Sequence, residues 1–200
     1  MYKVTKVEPY NSRLKVYLNE DKPFVLYKGE IRKFKIVENG IISDDIYNII
    51  MDTLFKRAKE RAIYLIEDSM KTEYQIVDKL KKGMYPDEII DRTVIFLKDL
   101  KLIDDENYAM LYIDYKRKSR SKIRIIQDLT KKGIKRQVID NAIEDSELSD
   151  TQALSYEIEK KKNKYDLSDR NQYNKFIQYL MRKGFKYSDI KSILDVDIYY

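Results

Sequence analysis

Between residues 116 and 136 the chain places ten basic side chains and a single acid, Asp128, for a net charge of +9. The ten are Lys116, Arg117, Lys118, Arg120, Lys122, Arg124, Lys131, Lys132, Lys135 and Arg136. The next fourteen residues reverse the sign: Asp140, Glu144, Asp145, Glu147 and Asp150 stand there with no base, giving −5. A basic block this dense can neutralise phosphates and release their counterions, or steer the chain toward an acidic protein surface. Arginine suits bidentate contact with phosphate or carboxylate, whereas lysine acts as a point charge. The chain shows no recognition-helix or base-stacking motif, so any nucleic-acid binding is expected to be sequence-nonspecific and salt-sensitive. The ten are the candidate binding residues, with Arg117, Arg120, Lys122, Arg124, Lys132 and Arg136 foremost. The competing reading is a solvated helix face in a chain that is rich in lysine throughout.

Other chemistries find little material. The chain has no His and no Cys. That removes nearly all zinc and transition-metal sites, the Ser-His and Cys-His nucleophile pairs, and any disulfide framework. Its five glycines, at 29, 40, 83, 133 and 184, are too dispersed for a dinucleotide fingerprint or a phosphate-binding loop. Carboxylate or lysine chemistry remains open. A magnesium nuclease would need acids converging beside the basic block, and the sequence shows no such cluster. The pair Asp104-Asp105 fits a helix start first. We therefore expect a non-enzyme with no cofactor and no metal. Among the 18 tyrosines, Tyr64, Tyr74, Tyr108 and Tyr112 are expected beside core positions with their hydroxyls reaching water. Tyr85 and Tyr115 are harder to place in a core, and the terminal Tyr199-Tyr200 has no assignable role.

The elements that must carry the block show a repeat. Leu129-Thr-Lys-Lys-Gly-Ile134 recurs 51 residues later as Leu180-Met-Arg-Lys-Gly-Phe185, and Leu80-Lys-Lys-Gly-Met84 lies 49 residues before it. Val77, Ile126 and Ile177 precede the three leucines by three residues; Ile76, Ile125 and Phe176 stand one place earlier. Ile90, Ile139 and Ile190 follow the leucines by ten. Spacings of three and four put these residues on one helix face. Gly133 and Gly184 fall where a helix closes in a left-handed residue. In the first copy Met84 occupies that place and Gly83 is shifted by one. Each copy thus reads as helix, Gly turn, helix, with one more helix ahead of it, and such an array offers an extended binding surface.

Helix starts support this division. Ser43 before Asp44-Asp45, the capping boxes Thr72–Gln75 and Ser149–Gln152, Pro86 as a first helical residue, and Asp104-Asp-Glu106 each predict a helix N-terminus. Ile46, Ile49, Ile50, Leu54, Ala58, Ala62 and Leu65 mark a helix of about 25 residues after Ser43. Ile89, Ile90, Val94 and Leu97 face inward in the third helix of the first copy, and Asp169–Lys183 and Ser188–Leu194 complete the third copy.

Residues 1 to about 42 differ. Leu14, Val16 and Leu18 alternate with polar residues, Phe24–Tyr27 is a short β-prone run, and Ile31, Phe34 and Ile36 make a poorer alternation. Turn residues separate them, at Pro9 with Asn11-Ser12, at Asn19–Pro23 and at Lys28-Gly29. This predicts a small antiparallel sheet of three or four strands packed on the first helix. The whole chain, 43% hydrophobic but 37% charged, suits long, thin helical layers with much exposed surface. We expect a mainly α fold: a β segment over 1–42, a long leading helix with the first three-helix repeat over 43–101, a second repeat over 102–146 and a third over 147–200, forming an elongated curved array. No apolar run approaches a membrane span, and the N-terminus lacks the layout of a secretory signal, so the expectation is a cytoplasmic protein with no membrane partner.

The junction Leu102-Ile-Asp-Asp-Glu-Asn-Tyr-Ala109, followed by Ile123-Arg-Ile-Ile126 and Leu129–Ile134, resembles the RecX family of regulatory proteins, over roughly residues 55 to 195. Asp104-Asp105 with Tyr108-Ala109 is the most specific element, and the Leu-x-x-x-Gly-Ile close of the second helix is next. The β segment resembles an extension carried by longer members. Two positions depart from the family pattern: Ser121 stands where members often carry Gly, and position 84 lacks its Gly. The resemblance implies tandem three-helix repeats that bind the recombinase RecA in the groove of its DNA filament and restrain it. It places the protein in homologous recombination, DNA repair and the SOS response, as a non-catalytic monomer that modulates, and by expectation inhibits, recombinase and coprotease activity. The implied partners are the RecA filament and single- or double-stranded DNA bound nonspecifically. An alternative is an architectural DNA-binding protein independent of RecA, which would bind DNA alone as tightly as the filament.

Overall fold

The computed structural model describes residues 1–19 and 21–198, so Tyr199-Tyr200 lie outside the described residues. The chain divides into two compact units, Met1–Asp104 and Asp105–Tyr200.

The first unit begins with strands β1 (Tyr2–Tyr10), β2 (Arg13–Leu18) and β3 (Phe24–Tyr27), and β4 (Ile41–Ile42) follows further on. They form one antiparallel sheet in the order β3-β2-β1-β4. Asn11, at φ 53°, opens the two-residue turn that pairs Tyr10 with Arg13. Asparagine tolerates that left-handed conformation better than most side chains. The alternation at Leu14–Leu18 points Val16 and Leu18 into the core, where Val4, Phe24 and Leu26 join them.

The stretch after Tyr27 corrects the expectation of a further strand: Lys28–Lys33 is a short helix, α1. The Glu30 carboxylate accepts the Tyr27 N–H at 2.8 Å and so closes the first turn. The helix ends when Lys35 takes φ 51° and the Ile36 N–H reaches back to the Ile31 carbonyl at 3.0 Å. Ile31 and Phe34 are therefore an i, i+3 pair on a helix, followed by a buried Ile36, and not an alternating strand.

Helix α2 (Asp44–Asp68) starts at Ser43, whose hydroxyl accepts the Ile46 N–H. Ile50, Met51, Leu54, Ala58 and Ala62 are buried along it. Ile49, by contrast, is exposed, because the buried stripe turns away from it. These residues share one continuous core with the sheet, with α3 (Glu73–Lys82) and with α4 (Asp87–Asp99). The capping box at Thr72 and Gln75 is present as expected. Pro86 serves as N-cap one place before the helix proper.

The second unit holds α5 (Asp105–Lys116), α6 (Lys122–Lys131) and α7 (Arg136–Asp145), then α8 (Thr151–Lys161), a 3₁₀ turn at Lys162–Lys164, α9 (Arg170–Arg182) and α10 (Tyr187–Ile198). Each triplet encloses its own core: Ile113, Ile125, Leu129 and Ile139 in one, Leu154, Phe176, Leu180 and Ile190 in the other. The aligned positions Ile76, Ile125 and Phe176, with Leu80, Leu129 and Leu180, are fully buried in all three repeats. The protein is thus mainly helical, with three tandem three-helix units preceded by a four-stranded antiparallel sheet. Among the described residues no helix is long and apolar enough to cross a membrane.

Helix closure follows one pattern. At the ends of α3, α6 and α9 the N–H of Tyr85, Ile134 and Phe185 bonds to the carbonyl of Leu80, Leu129 and Leu180, at 3.2, 3.2 and 3.3 Å. This six-to-one bond requires a left-handed residue just before it. Gly133 and Gly184 supply it at φ 81° and 95°, and Met84 supplies it at 59°. The first repeat has lost the residue type there and kept the turn. Gly83 has a different task, since a Cβ on it would stand 2.9 Å from the Tyr85 ring.

Candidate cationic cleft between the second and third repeats

The ten basic residues do not share one surface. Arg117, at the end of α5, is half-buried; its guanidinium donates to the Ser146 carbonyl at 3.2 Å and pairs with Asp114 at 3.4 Å. It thereby satisfies the C-terminus of α7 and holds the repeat together. Lys132 is also half-buried, with its ammonium 5.3 and 5.6 Å from the ring centres of Tyr108 and Tyr112. Lys116 lies 4.2 Å from the Tyr115 ring centre. Arg136 pairs with Asp140 at 2.8 Å, and with Lys122 it lines a shallow face that also carries Glu144 and Glu147. The acidic stretch after the block therefore neutralises that side. Lys118 and Lys135 are exposed and line neither surface.

Arg120, Arg124 and Lys131 converge. They line a cleft whose other wall comes from the third repeat, with Lys160 of α8 and Lys183 at the end of α9. Five cations face two acids there, Asp128 and Glu157, beside Tyr156 and Phe185. Arg120 is ion-paired with Asp128, which also accepts the Tyr112 hydroxyl at 2.9 Å. Burial and that bond push the Tyr112 phenol up to about 12. Neither Lys131 nor Lys160 forms an ion pair among the described residues, and the Lys160 ammonium lies 5.4 Å from the ring centre of the exposed Tyr156.

The cleft walls are locked to each other. Ser121, buried at 1% exposure, caps α6 and donates its hydroxyl to the Lys183 carbonyl at 2.7 Å. Arg124 donates to the Arg182 carbonyl at 2.7 Å and to Gln127 at 3.0 Å. Asp150 accepts the Lys122 N–H at 2.6 Å. Gly184 sits so close that a Cβ would stand 2.5 Å from the Ser121 hydroxyl oxygen. The expected Ser149–Gln152 capping box is absent: Asp150 is the N-cap residue of α8, without a side-chain cap bond, and its carboxylate reaches across to α6 instead. Ser121, a departure from the family pattern, is here a contact between repeats.

Glu157 is the one charged side chain of the cleft that is buried, at 6% exposure. It accepts the Tyr179 hydroxyl and pairs with Lys183 at 3.4 Å. Burial alone would raise its carboxyl, but the Tyr179 hydroxyl and the Lys183 ammonium outweigh it and hold the group below the ordinary glutamate value. Burial, and then the same bond, raise the Tyr179 phenol.

Sequence reasoning missed Lys160, Lys183 and Tyr156. Register gives no signal for Lys183: it follows Leu180 by three as Lys132 follows Leu129, yet Lys132 lies over the tyrosines of its own repeat. Tyrosine placement needs correction too. Tyr108 and Tyr112 pack beside the core as expected, but Tyr64 and Tyr74 are exposed at 63% and 54%, while Tyr85 packs on the core of the first unit. Tyr115 is exposed. Among the described residues no cluster of three or more His, Cys, Asp or Glu side chains could hold a metal ion.

A tandem array of three-helix units with a cation-rich cleft is similar to one family of known proteins. Models of the first, second and third three-helix domains of RecX match residues 58–97, 104–143 and 149–194. The regulatory protein RecX of Finegoldia magna is 32% identical over 95% of this chain and 97% of its own length. That of Clostridium botulinum is 30% identical over 97% and 95%. A crystal structure of RecX from Lactobacillus salivarius superposes with a TM-score of 0.64 at 27% identity, covering 74% of this chain and 99% of that one. A second crystal structure of the regulatory protein RecX matches the fold over 98% of this chain, with the same TM-score at 23% identity. The chain belongs to the RecX family of regulatory proteins.

Proposed function

We propose that this protein binds RecA–DNA filaments and restrains recombinase and coprotease activity without catalysing a reaction of its own. Family membership supports the choice of partner. The observation that carries the electrostatic part is the cleft of Arg120, Arg124, Lys131, Lys160 and Lys183, whose walls the Ser121 and Arg124 bonds hold together. A filament presents phosphates and acidic protein surface together, and a cationic cleft of fixed shape meets either without reorganisation. Arg124 acts there chiefly as a strut, Arg120 shares its charge with Asp128 and Lys183 with Glu157, so Lys131 and Lys160 supply the free attraction and the exposed Arg120 adds to it.

Reversing Arg120, Lys131 and Lys160 to Glu should weaken filament binding at least tenfold near physiological salt and flatten its salt dependence. Helical content by circular dichroism should stay unchanged. Wild-type binding by the folded triple variant at moderate salt would remove the cleft from the account.

A further inference from the structure

The first unit carries another concentration of cations, and none of its members belongs to the block at 116–136. Arg13 of β2, Arg57 and Arg61 of α2, and Lys79 and Lys82 of α3 line one cleft, where Glu60 is the only acid among the lining residues. Two of the five are committed. Arg57 pairs with Glu30 at 3.1 Å, donates to the Val25 carbonyl at 2.9 Å and lies 4.9 Å from the Tyr27 ring centre. Lys82 pairs with Asp78 at 2.7 Å. Arg13, Arg61 and Lys79 form no ion pair among the described residues.

Cations in the last turn of a helix complement its dipole, which accounts for Lys79 and Lys82 on α3. That explanation does not reach Arg13 on a strand or Arg61 in the middle of another helix. The half-buried Tyr85 shows how closely the group gathers: burial raises its phenol while Arg57, Arg13 and Arg61 all act against the rise. Like charges brought together by folding repel, and an anion in the cleft would relieve them. Guanidinium groups match phosphate oxygens two at a time. Tyr27, exposed at 47%, adds a ring against which a base can stack. A nucleic-acid strand brings a phosphate and a stacking base together at every nucleotide, whereas acidic side chains supply no stacking group of their own.

We infer that Arg13, Arg61 and Lys79 form a second phosphate-contacting cleft for a nucleic-acid strand. Arg13 and Tyr27 precede the three family-matched segments, so the N-terminal sheet builds this contact. It extends the polyanion attraction of the proposed function and does not depend on RecA.

The test is fluorescence anisotropy of labelled oligo(dT) with the full chain across a salt series, and with labelled poly-glutamate in parallel. An Arg61→Gln/Lys79→Gln double variant should bind oligo(dT) roughly five- to tenfold more weakly at low salt. The slope of log affinity against log salt should fall by about 0.7 for each phosphate that is no longer neutralised. Adding Arg13→Gln should deepen both effects. Arg61 and Lys79 are both exposed, which keeps the double variant informative if the triple variant fails to fold. Wild-type affinity and slope in the folded double variant would overturn the inference, as would a loss confined to poly-glutamate. RecA is absent from this assay, so either failure leaves the RecA reading standing.

Discussion

Met84 occupies a left-handed conformation that Gly133 and Gly184 hold in the other repeats, and the difference has a measurable cost. Met84→Gly should raise stability by about 0.5–1 kcal/mol, seen as a higher urea midpoint with unchanged slope. Gly184→Ala should lower it by about 1–3 kcal/mol, because it meets both a left-handed backbone and the Ser121 hydroxyl. Glu157 makes a pH prediction. Its carboxyl is held below the ordinary value of 4.5, so the unfolded chain takes up the proton first as pH falls. The stabilisation is present above about 4.5 and is lost as pH drops through the lower folded value. Thermal unfolding of Glu157→Gln should therefore fall less steeply than wild type on the acid side. The Gly turns were legible because glycine is the visible mark of a left-handed residue. At Met84 only the register of the repeat marked the position, since there the six-to-one bond from Tyr85 to Leu80 holds the conformation without a glycine.

Helices were more legible than their caps. The apolar frame placed Leu80, Leu129 and Leu180 correctly because spacing of three and four is a property of one helix. Ser149–Gln152 has the residue types of a capping box, yet Asp150 spends its carboxylate on the backbone of α6. A local motif cannot register a partner 28 residues away. The same holds for Ser121, which caps α6 and also ties it to the end of α9. Ser121→Ala should cost about 1–2 kcal/mol, more than a surface cap alone, since it leaves the Lys183 carbonyl without its donor. Hydrogen exchange should then rise at the end of α9 as well as at the start of α6. A change confined to α6 would mean that the bond between repeats contributes little.

At the scale of the molecule, a +9 block in the sequence becomes several different things. Arg117 and Lys132 serve the inside of their repeat, Lys122 and Arg136 stand among acids, and Arg120, Arg124 and Lys131 join two cations from the third repeat. Charge density along a chain says how much attraction is available; only the packing of α6 against α9 decides where it points. The family frame was legible at 102–134, while Lys160 and Lys183 belong to the cleft through tertiary structure alone. The most direct test of the central claim is RecA ATPase on single-stranded DNA, with and without this protein, across a salt series. The expected result is dose-dependent inhibition that weakens as salt rises and is blunted in the Arg120→Glu/Lys131→Glu/Lys160→Glu variant. Unchanged ATPase at every salt concentration, with the protein folded and in excess, would contradict it.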